Sequence, residues 1–270
     1  MAGRYTSVGI GGFGAIGRVV AEALDAGLEG LELGAVSARD RERAVERMAG
    51  FHRRVPVVSL GELADCDVVV EAAPAEMFEE IAVPAIERGR VFVPSSVGAL
   101  LPRMRLVERA RETGARIVVP TGALLGLDAV RAAAEGEIRS VTMITRKPPG
   151  GLAGAPYLER NGIALDDVRE PMLVFDGSAR EGAEGFPANV NVAAALSLAG
   201  IGPDRTRLQI WADPGVDRNT HRIEVDADST RFTLEIANVP SEGNPRTGMN
   251  TPLSVIACLR GLTQTLKVGT

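Results

Sequence analysis

The sequence predicts an α/β protein in which a doubly wound parallel sheet is joined to a second, α+β domain with a mainly antiparallel sheet. In the first 120 residues, apolar strand patterns alternate with amphipathic helix patterns, which is typical of a parallel sheet with crossover helices. After about residue 121, apolar residues alternate with polar ones, a period of two that is typical of antiparallel strands with one solvated face. The 270 residues are enough for two such domains.

Six apolar runs are predicted as strands of the first domain: Ser7–Ile10, Leu31–Val36, Val55–Ser59, Asp67–Ala72, Arg90–Pro94 and Arg116–Pro120. The clearest helices between them are Glu76–Arg88 and Pro102–Thr113, and the second helix carries Met104, Val107 and Ala110 on one stripe. In a doubly wound sheet the carboxyl ends of the strands form the binding crevice.

Three alternating runs predict strands of the second domain: Leu208–Ala212, Ile223–Ala227 and Phe232–Ile236, with Asp228–Thr230 as a hairpin turn. Helices are predicted over Asn189–Ala199 and Thr251–Thr265, and a mobile loop at Pro148–Gly151. We place the first domain at residues 1–121, with a C-terminal helix of about 246–270 packing back on it, and the second domain at residues 122–245.

A glycine-rich turn between the first strand and the first helix predicts a dinucleotide site. Its glycines have the spacing Gly12-x-Gly14-x-x-Gly17: the first permits a tight turn, the second lets the backbone approach a pyrophosphate, and the third lets the helix pack on the strand. The free amides at the helix start favour phosphate. The expected cofactor-binding residues are Gly12, Phe13, Gly14, Ala15, Ile16 and Gly17. With 31 glycines in the chain, a turn without a ligand is the alternative.

The end of the second predicted strand leaves the choice between NAD and NADP open. An acid at this place usually binds the ribose 2′-hydroxyl of NAD, but here Arg39 comes first and the acid follows only as Asp40. The Arg39 guanidinium suits the 2′-phosphate of NADP. We therefore expect a site that accepts NADP as well as NAD, with Arg39 among its residues. The alternative is that both residues only open the next helix at the surface.

One of the two histidines is a candidate for acid–base catalysis. His52 lies in a basic turn and is predicted to be solvated. His221 shares a strand face with Ile223, Val225 and Ala227, so its imidazole points towards the buried side, and it follows a loop-like run at the strand mouth. Histidine suits proton transfer near neutral pH. A hydrogen-bonded core histidine is the alternative interpretation.

The composition limits the other classes of function. A net charge of −5 and a pI near 5.3 give no electrostatic reason to bind nucleic acid or an anionic membrane. The two cysteines exclude a disulfide framework and a cysteine-based zinc site, and we expect no metal. Without a signal segment or a run of roughly 20 apolar residues, a cytoplasmic location is expected.

Several longer segments resemble the L-aspartate dehydrogenase family. They are the N-terminal glycine turn, Pro120–Ala129, Arg146–Pro149, Phe186–Ala193 and Ala212–His221. The resemblance implies NAD(P)-dependent oxidative deamination of L-aspartate to iminosuccinate, which is hydrolysed to oxaloacetate or passed to NAD biosynthesis, and the reverse reaction from oxaloacetate and ammonia. It implies His221 as the active-site histidine and Ala123 and Asn189 as contacts of the nicotinamide nucleotide. A homo-oligomer, most simply a dimer, is expected.

Two other functions stay open on the sequence. One is a related two-domain reductase of the dihydrodipicolinate or homoserine type, and the other is a non-catalytic NAD(P)-binding module. A dicarboxylate substrate needs cations, and Arg146, Lys147 and Arg246 are candidates to bind its carboxylates. Solvated surface charge is the alternative interpretation of all three.

Overall fold

A five-stranded sheet forms the centre of the first part of the chain in the computed structural model, which describes residues 6–187, 190–241 and 244–269, with only the backbone of 244–247. The strands are β1 (Thr6–Gly11), β2 (Leu31–Ser37), β3 (Val68–Glu71), β4 (Val91–Pro94) and β5 (Arg116–Ile117). Their order is β2-β1-β3-β4-β5, and each neighbouring pair is parallel, as predicted.

The helices of this part connect the parallel strands, as crossover connections require. They are α1 (Ala15–Asp25), α2 (Arg41–Arg47), α3 (Phe78–Glu87), α4 (Val97–Leu100) and α5 (Arg105–Thr113), with 3₁₀ turns at Gly61–Asp65, Ala75–Met77 and Leu101–Arg103. On α5 the predicted stripe is wrong at its first member, because Met104 precedes the helix and is 39% exposed. Leu106 and Ala110 form the buried stripe instead, one turn apart.

The predicted strand Val55–Ser59 is also wrong. It makes a single parallel bridge between Val36 and Val57 and no further strand pairing. Val36 N donates to Pro56 O at 3.0 Å and Val58 N donates to Val36 O at 2.9 Å. Pro56 has no N–H with which to continue a ladder, so the apolar run ends as a short edge contact.

A second five-stranded sheet follows, and it is mixed. Its strands are β6 (Ile138–Lys147), β7 (Met172–Ser178), β8 (Arg207–Ala212), β9 (Thr220–Ala227) and β10 (Arg231–Ala237), in the order β10-β9-β6-β8-β7. Only β6 and β8 run parallel, and the other three pairs are antiparallel. The predicted hairpin turn closes with Ala227 N donating to Thr230 O at 2.9 Å.

The remaining elements of this part are short. The helices are α6 (Leu127–Ala133), α7 (Pro156–Arg160), α8 (Ala179–Gly185) and α9 (Asn191–Ala199), and a small hairpin joins β11 (Pro240–Ser241) to β12 (Asn244–Gly248). The predicted loop at 148–151 contains a 3₁₀ turn, Pro149–Gly151. The last helix, α10 (Asn250–Arg260), buries Val255 and Leu259 in the core cluster that also contains Val8 and Leu24.

The chain divides into two units. The first contains Met1–Pro120 and Thr251–Lys267, and the second contains Thr121–Asn250 and Val268–Thr270. We call them the N-terminal unit and the C-terminal unit. Within the described ranges, every helix is too short or too polar to serve as a membrane-spanning segment.

Candidate active site

The glycine-rich turn leaves β1 and enters α1 through positions where only glycine fits. Gly12 has φ +99°, and a Cβ there would lie 2.4 Å from Ala72 O. A Cβ on Gly17 would lie 1.9 Å from Gly12 O, so the first turn of the helix rests directly on the strand exit. Both glycines are therefore required by backbone that approaches from the other side.

Gly14 has a different environment from its two neighbouring glycines. It is exposed at the N-cap of α1, and no heavy atom lies within 4 Å of an added Cβ. The structure describes every residue of α1, and this helix has no acidic residue in its first turn and no side-chain cap. Its first amide groups can therefore bind an anion. Phe13 is buried in the core and Ile16 packs against it, so these side chains support the turn from below.

Hydrogen bonds connect the glycine turn to the two neighbouring strands. Gly12 N donates to Ser37 O of β2 at 2.9 Å, and Ala72 N, just after β3, donates to Gly11 O at 2.8 Å. The carboxyl ends of β1, β2 and β3 therefore meet at the turn. This is the edge at which ligands bind in open parallel sheets.

A buried carboxylate at the end of β3, Glu71, connects the next two strand exits and was not predicted. Its side chain accepts hydrogen bonds from Ala73 N at 3.1 Å, Ser96 N at 2.8 Å and Ser96 Oγ at 3.0 Å. Burial raises the pKa of Glu71 to about 7, and these hydrogen bonds oppose the rise. The signal in the sequence is an acid at the end of the apolar run Val68–Val70.

Arg39 and Asp40, which follow β2, have different surroundings. Asp40 caps α2, where its Oδ1 accepts a hydrogen bond from Arg43 N at 3.0 Å. Arg39 is exposed. The expected helix opening is therefore real for Asp40, and Arg39 follows β2 at the edge of the sheet where the glycine turn leaves β1.

In the C-terminal unit, His221 lies on the buried face of β9, as predicted. It is 4% exposed, in line with the buried Ile223 and Val225. It stands opposite Thr145 of β6, and Thr145 Oγ1 lies 3.1 Å from His221 Nδ1. Burial, and then the charge of Lys147, lower the pKa of His221 from 6.5 to about 3. The imidazole is therefore neutral across the physiological range.

The two cations at the end of β6 take opposite faces of the sheet. Lys147 is 6% exposed and follows Thr145 on the buried face. Arg146 points to the other face, where its Nη1 lies 3.0 Å from Asp213 Oδ2 and its guanidinium lies 4.9 Å from the centre of the Trp211 ring. Arg146 thus pairs with Asp213 and stacks on Trp211 on the face opposite to the one that carries Thr145 and Lys147.

Comparison with known proteins covers both halves of the chain. The family described as "Homoserine dehydrogenase, NAD binding domain" matches residues 12–120, and "Aspartate dehydrogenase, C-terminal" matches residues 128–262. The L-aspartate dehydrogenase of Bradyrhizobium diazoefficiens is 56% identical over 266 residues, which are 97% of this chain and 94% of that protein. The L-aspartate dehydrogenase of Methanocella arvoryzae is 42% identical, over 97% of this chain and 99% of that protein.

The chain belongs to the L-aspartate dehydrogenase family. The solved structure of aspartate dehydrogenase from Thermotoga maritima agrees with this family membership: it has a TM-score of 0.75 at 26% identity, over 98% of this chain and all of that one. A homoserine dehydrogenase structure from Thiobacillus denitrificans, with a TM-score of 0.61 at 15% identity, shares the fold alone. The predicted family, the predicted fold class and a nicotinamide cofactor are confirmed.

The resemblance to L-aspartate dehydrogenases implies two further contacts of the nicotinamide nucleotide, Ala123 and Asn189. Ala123 is half-buried in a turn before α6, in which Leu124 N donates to Thr121 O at 3.1 Å. Asn189 lies outside the described residues, and so does the side chain of Arg246. His52 is exposed on the N-terminal unit, with its Nδ1 3.0 Å from Asp25 Oδ2.

Proposed function

We propose that this chain catalyses the NAD(P)-dependent oxidative deamination of L-aspartate to iminosuccinate, which water converts to oxaloacetate, and the reverse amination. The observation that carries the proposal is the buried imidazole of His221, held at Nδ1 by Thr145 in a chain of the L-aspartate dehydrogenase family. The oxidation of an amine requires a group that takes the ammonium proton, and a neutral imidazole offers a ring nitrogen that can accept it.

The glycine turn is proposed to bind the pyrophosphate of the cofactor. The residues fit this role, because an added Cβ would meet open space at Gly14 and backbone at Gly12 and Gly17. The first amides of α1 have no side-chain cap and no competing acid in the first turn, which favours a phosphate at this helix end. When bound, the nicotinamide ring accepts a hydride from the substrate α-carbon.

His221 is proposed to take a proton from the substrate ammonium, so that the amine lone pair is free as hydride departs. In the tautomer with the proton on Nδ1, that N–H donates to Thr145 Oγ1 and Nε2 is the basic nitrogen. Burial keeps this nitrogen unprotonated before the substrate arrives. In the reverse direction the same nitrogen returns the proton.

The role of His221 is tested by comparing the two histidines of the chain. We expect His221→Ala to lower kcat for L-aspartate by about 10²- to 10⁴-fold, the usual contribution of a general acid or base. The matched control, His52→Ala, removes an exposed imidazole of the other unit and should leave kcat within about twofold, the scale of surface substitutions. A rate for His221→Ala within a few-fold of wild type would contradict the role.

The substrate is tested on the wild-type protein. Production of NAD(P)H from L-aspartate, and its consumption with oxaloacetate and ammonia, should both be measurable. Homoserine serves as the competing substrate, because the N-terminal half matches a homoserine dehydrogenase description. Turnover of homoserine with none of aspartate would refute the proposed function.

For the cofactor, we propose that the site accepts NADP as well as NAD. Arg39 supports this, because it is exposed at the end of β2 while the carboxylate of Asp40 is engaged in capping α2. Arg39→Ala should weaken NADPH binding by about tenfold, the value of a charge-assisted contact, and change NADH binding little. A wild-type affinity for NADP that is several orders of magnitude below that for NAD would sink this proposal.

The division of labour and the assembly state are further parts of the proposal. The N-terminal unit is proposed to bind the dinucleotide, and the C-terminal unit to bind the substrate, with Ala123 and Asn189 contributing to the nicotinamide nucleotide. A homodimer is proposed, and the mass of the protein in solution, measured by light scattering, tests it. A monomer across the working concentrations would contradict the dimer.

A further inference from the structure

The two cations at the end of β6 lie on opposite faces of the sheet, because side chains alternate along a strand. Val141, Met143, Thr145 and Lys147 are all buried, while Thr142, Ile144 and Arg146 are less so. Successive strand residues point to opposite faces, so Lys147 shares the face of Thr145. Thr145 is directly opposite His221 and in contact with its Nδ1. Lys147 therefore lies about 7 Å further along the same buried face, two strand residues beyond the partner of His221.

Burial makes this lysine unusual. Among the residues that the structure describes, Lys147 is the only lysine or arginine that is buried. The positive charge of Lys147 acts on the imidazole: after burial, it is the second cause of the low pKa of His221. The ammonium and the imidazole therefore act within one electrostatic environment.

The other cation candidates of the C-terminal unit do not share this position. Arg146 is on the opposite face, where it pairs with Asp213 and stacks on Trp211. Arg222, next to His221 in the chain, also points to that face and pairs with Glu224 at 2.8 Å. Of the described lysine and arginine side chains of this unit, Lys147 is the one that the strand register directs to the side of His221.

We infer that Lys147 binds a carboxylate of the L-aspartate substrate beside His221, and this inference rests on the proposed function. A lysine ammonium is a compact charge with three donors on a flexible stem, which suits a carboxylate that lies one or two carbons from the reacting amine. The site would thus select an anionic amino acid. Arg146, its neighbour in the sequence, has no part in this contact.

Carboxylate binding by Lys147 also has a consequence for the base. Before the substrate arrives, the ammonium disfavours a second positive charge on His221. A bound carboxylate offsets that charge, so the imidazole becomes more basic only when the substrate is in place. Binding of the substrate therefore raises the basicity of the imidazole that takes its proton.

The experiment compares Lys147→Met with Arg146→Met, which removes a cation from the adjacent position on the opposite face. The readouts are kcat and KM for L-aspartate, KM for the cofactor, and competitive inhibition by succinate, a dicarboxylate that has no amine. For Lys147→Met we expect KM for aspartate and the succinate inhibition constant to rise about 10- to 100-fold, the range for a lost charged hydrogen bond. KM for the cofactor should stay within about twofold, as expected for a site that the change does not touch.

Further variants separate binding from folding. Lys147→Arg keeps the charge and should recover much of the succinate affinity, whereas Lys147→Gln should behave like Lys147→Met. Thermal unfolding of each variant checks that it is folded, and Lys147→Gln supplies the result if Lys147→Met does not fold. Arg146→Met should leave the succinate inhibition constant within about twofold.

The outcomes distinguish this inference from the proposed function. Wild-type turnover of aspartate, together with an unchanged succinate inhibition constant in Lys147→Met and Lys147→Gln, overturns the role of Lys147 alone. A fall in kcat with unchanged succinate inhibition also overturns it, because Lys147 would then act only on His221. Absence of aspartate turnover in the wild type refutes the proposed function itself.

Discussion

Substituting alanine for either Gly14 or Gly17 separates the two demands that a dinucleotide turn makes on glycine. At Gly17 the new Cβ would lie 1.9 Å from Gly12 O, and relief to an ordinary contact of a little over 3 Å requires backbone to move by more than 1 Å. At Gly14 the new Cβ would meet nothing within 4 Å, and the backbone has φ −90°, which alanine adopts readily. We therefore expect the change at Gly17 to lower stability and the change at Gly14 to weaken cofactor binding.

The stability change follows from this geometry. Overpacking costs about 1–3 kcal/mol where side chains can yield, and more where the contact is with backbone, as it is at Gly17. The better helix propensity of alanine returns about 1 kcal/mol. We expect Gly17→Ala to lose at least about 2 kcal/mol, which lowers the melting temperature by about 4–8 °C for a domain of this size. Gly14→Ala should stay within about 1 kcal/mol of wild type, because it fills no occupied space.

Cofactor binding, unlike stability, should be weakened by the change at Gly14. The Cβ of Gly14→Ala occupies the open side of the turn, where the pyrophosphate is proposed to approach the backbone, so the dissociation constant for NADH should rise at least about tenfold, or 1.4 kcal/mol. Titration of NADH fluorescence measures this, and thermal unfolding without cofactor measures stability. Wild-type NADH affinity in a folded Gly14→Ala protein would refute the pyrophosphate assignment. A wild-type melting temperature for Gly17→Ala would refute the close approach of α1 to the strand exit.

Three further predictions test the two sites. Thr145→Val leaves His221 Nδ1 buried without its 3.1 Å partner, so it should cost about 1–3 kcal/mol of stability and lower kcat more than it raises KM. Thr145→Ser should restore both stability and kcat, and wild-type kinetics in the valine variant would contradict the positioning role. Because the pKa of Glu71 is raised by burial from 4.5 to about 7, the folded state binds its proton more tightly, and stability is lost as pH rises from 4.5 towards 7. Urea unfolding should show this loss, up to about 3 kcal/mol, in the wild type but not in Glu71→Gln, and parallel pH profiles would exclude it. Asp40→Ala should cost about 1 kcal/mol through the lost cap of α2 while NAD affinity holds, and a large loss of NAD affinity would instead make Asp40 a ribose ligand.

Much of the fold could be predicted because its signals are local. The order of strands and helices follows from hydrophobic periodicity, and the glycine turn from backbone that only glycine can adopt at Gly12 or accommodate at Gly17. The burial of His221 follows in the same way from the alternation along β9. The errors occurred where a single residue changes a local rule, as Pro56 does by removing a donor from an otherwise strand-like run.

The strand β6 was missed because its interior positions stop being apolar where the candidate site begins. Its buried side passes from Val141 and Met143 to Thr145 and Lys147, which ends the apolar alternation that marks a strand. A polar residue at a buried position departs from the pattern of a folded core, and such departures are expected at functional sites. Glu71 is the same kind of departure at the end of β3.

The fold class, the glycine turn and the buried face of His221 could be predicted from the amino-acid sequence, because each depends on residues close together in the chain. The contact of the imidazole with Thr145, 76 residues away, and the position of Lys147 rather than Arg146 on the same face become visible only in the folded protein. Strand parity explains this division. A shift of one residue moves a side chain to the opposite face, and the register that sets the parity of β6 against β9 exists only once the two strands are paired.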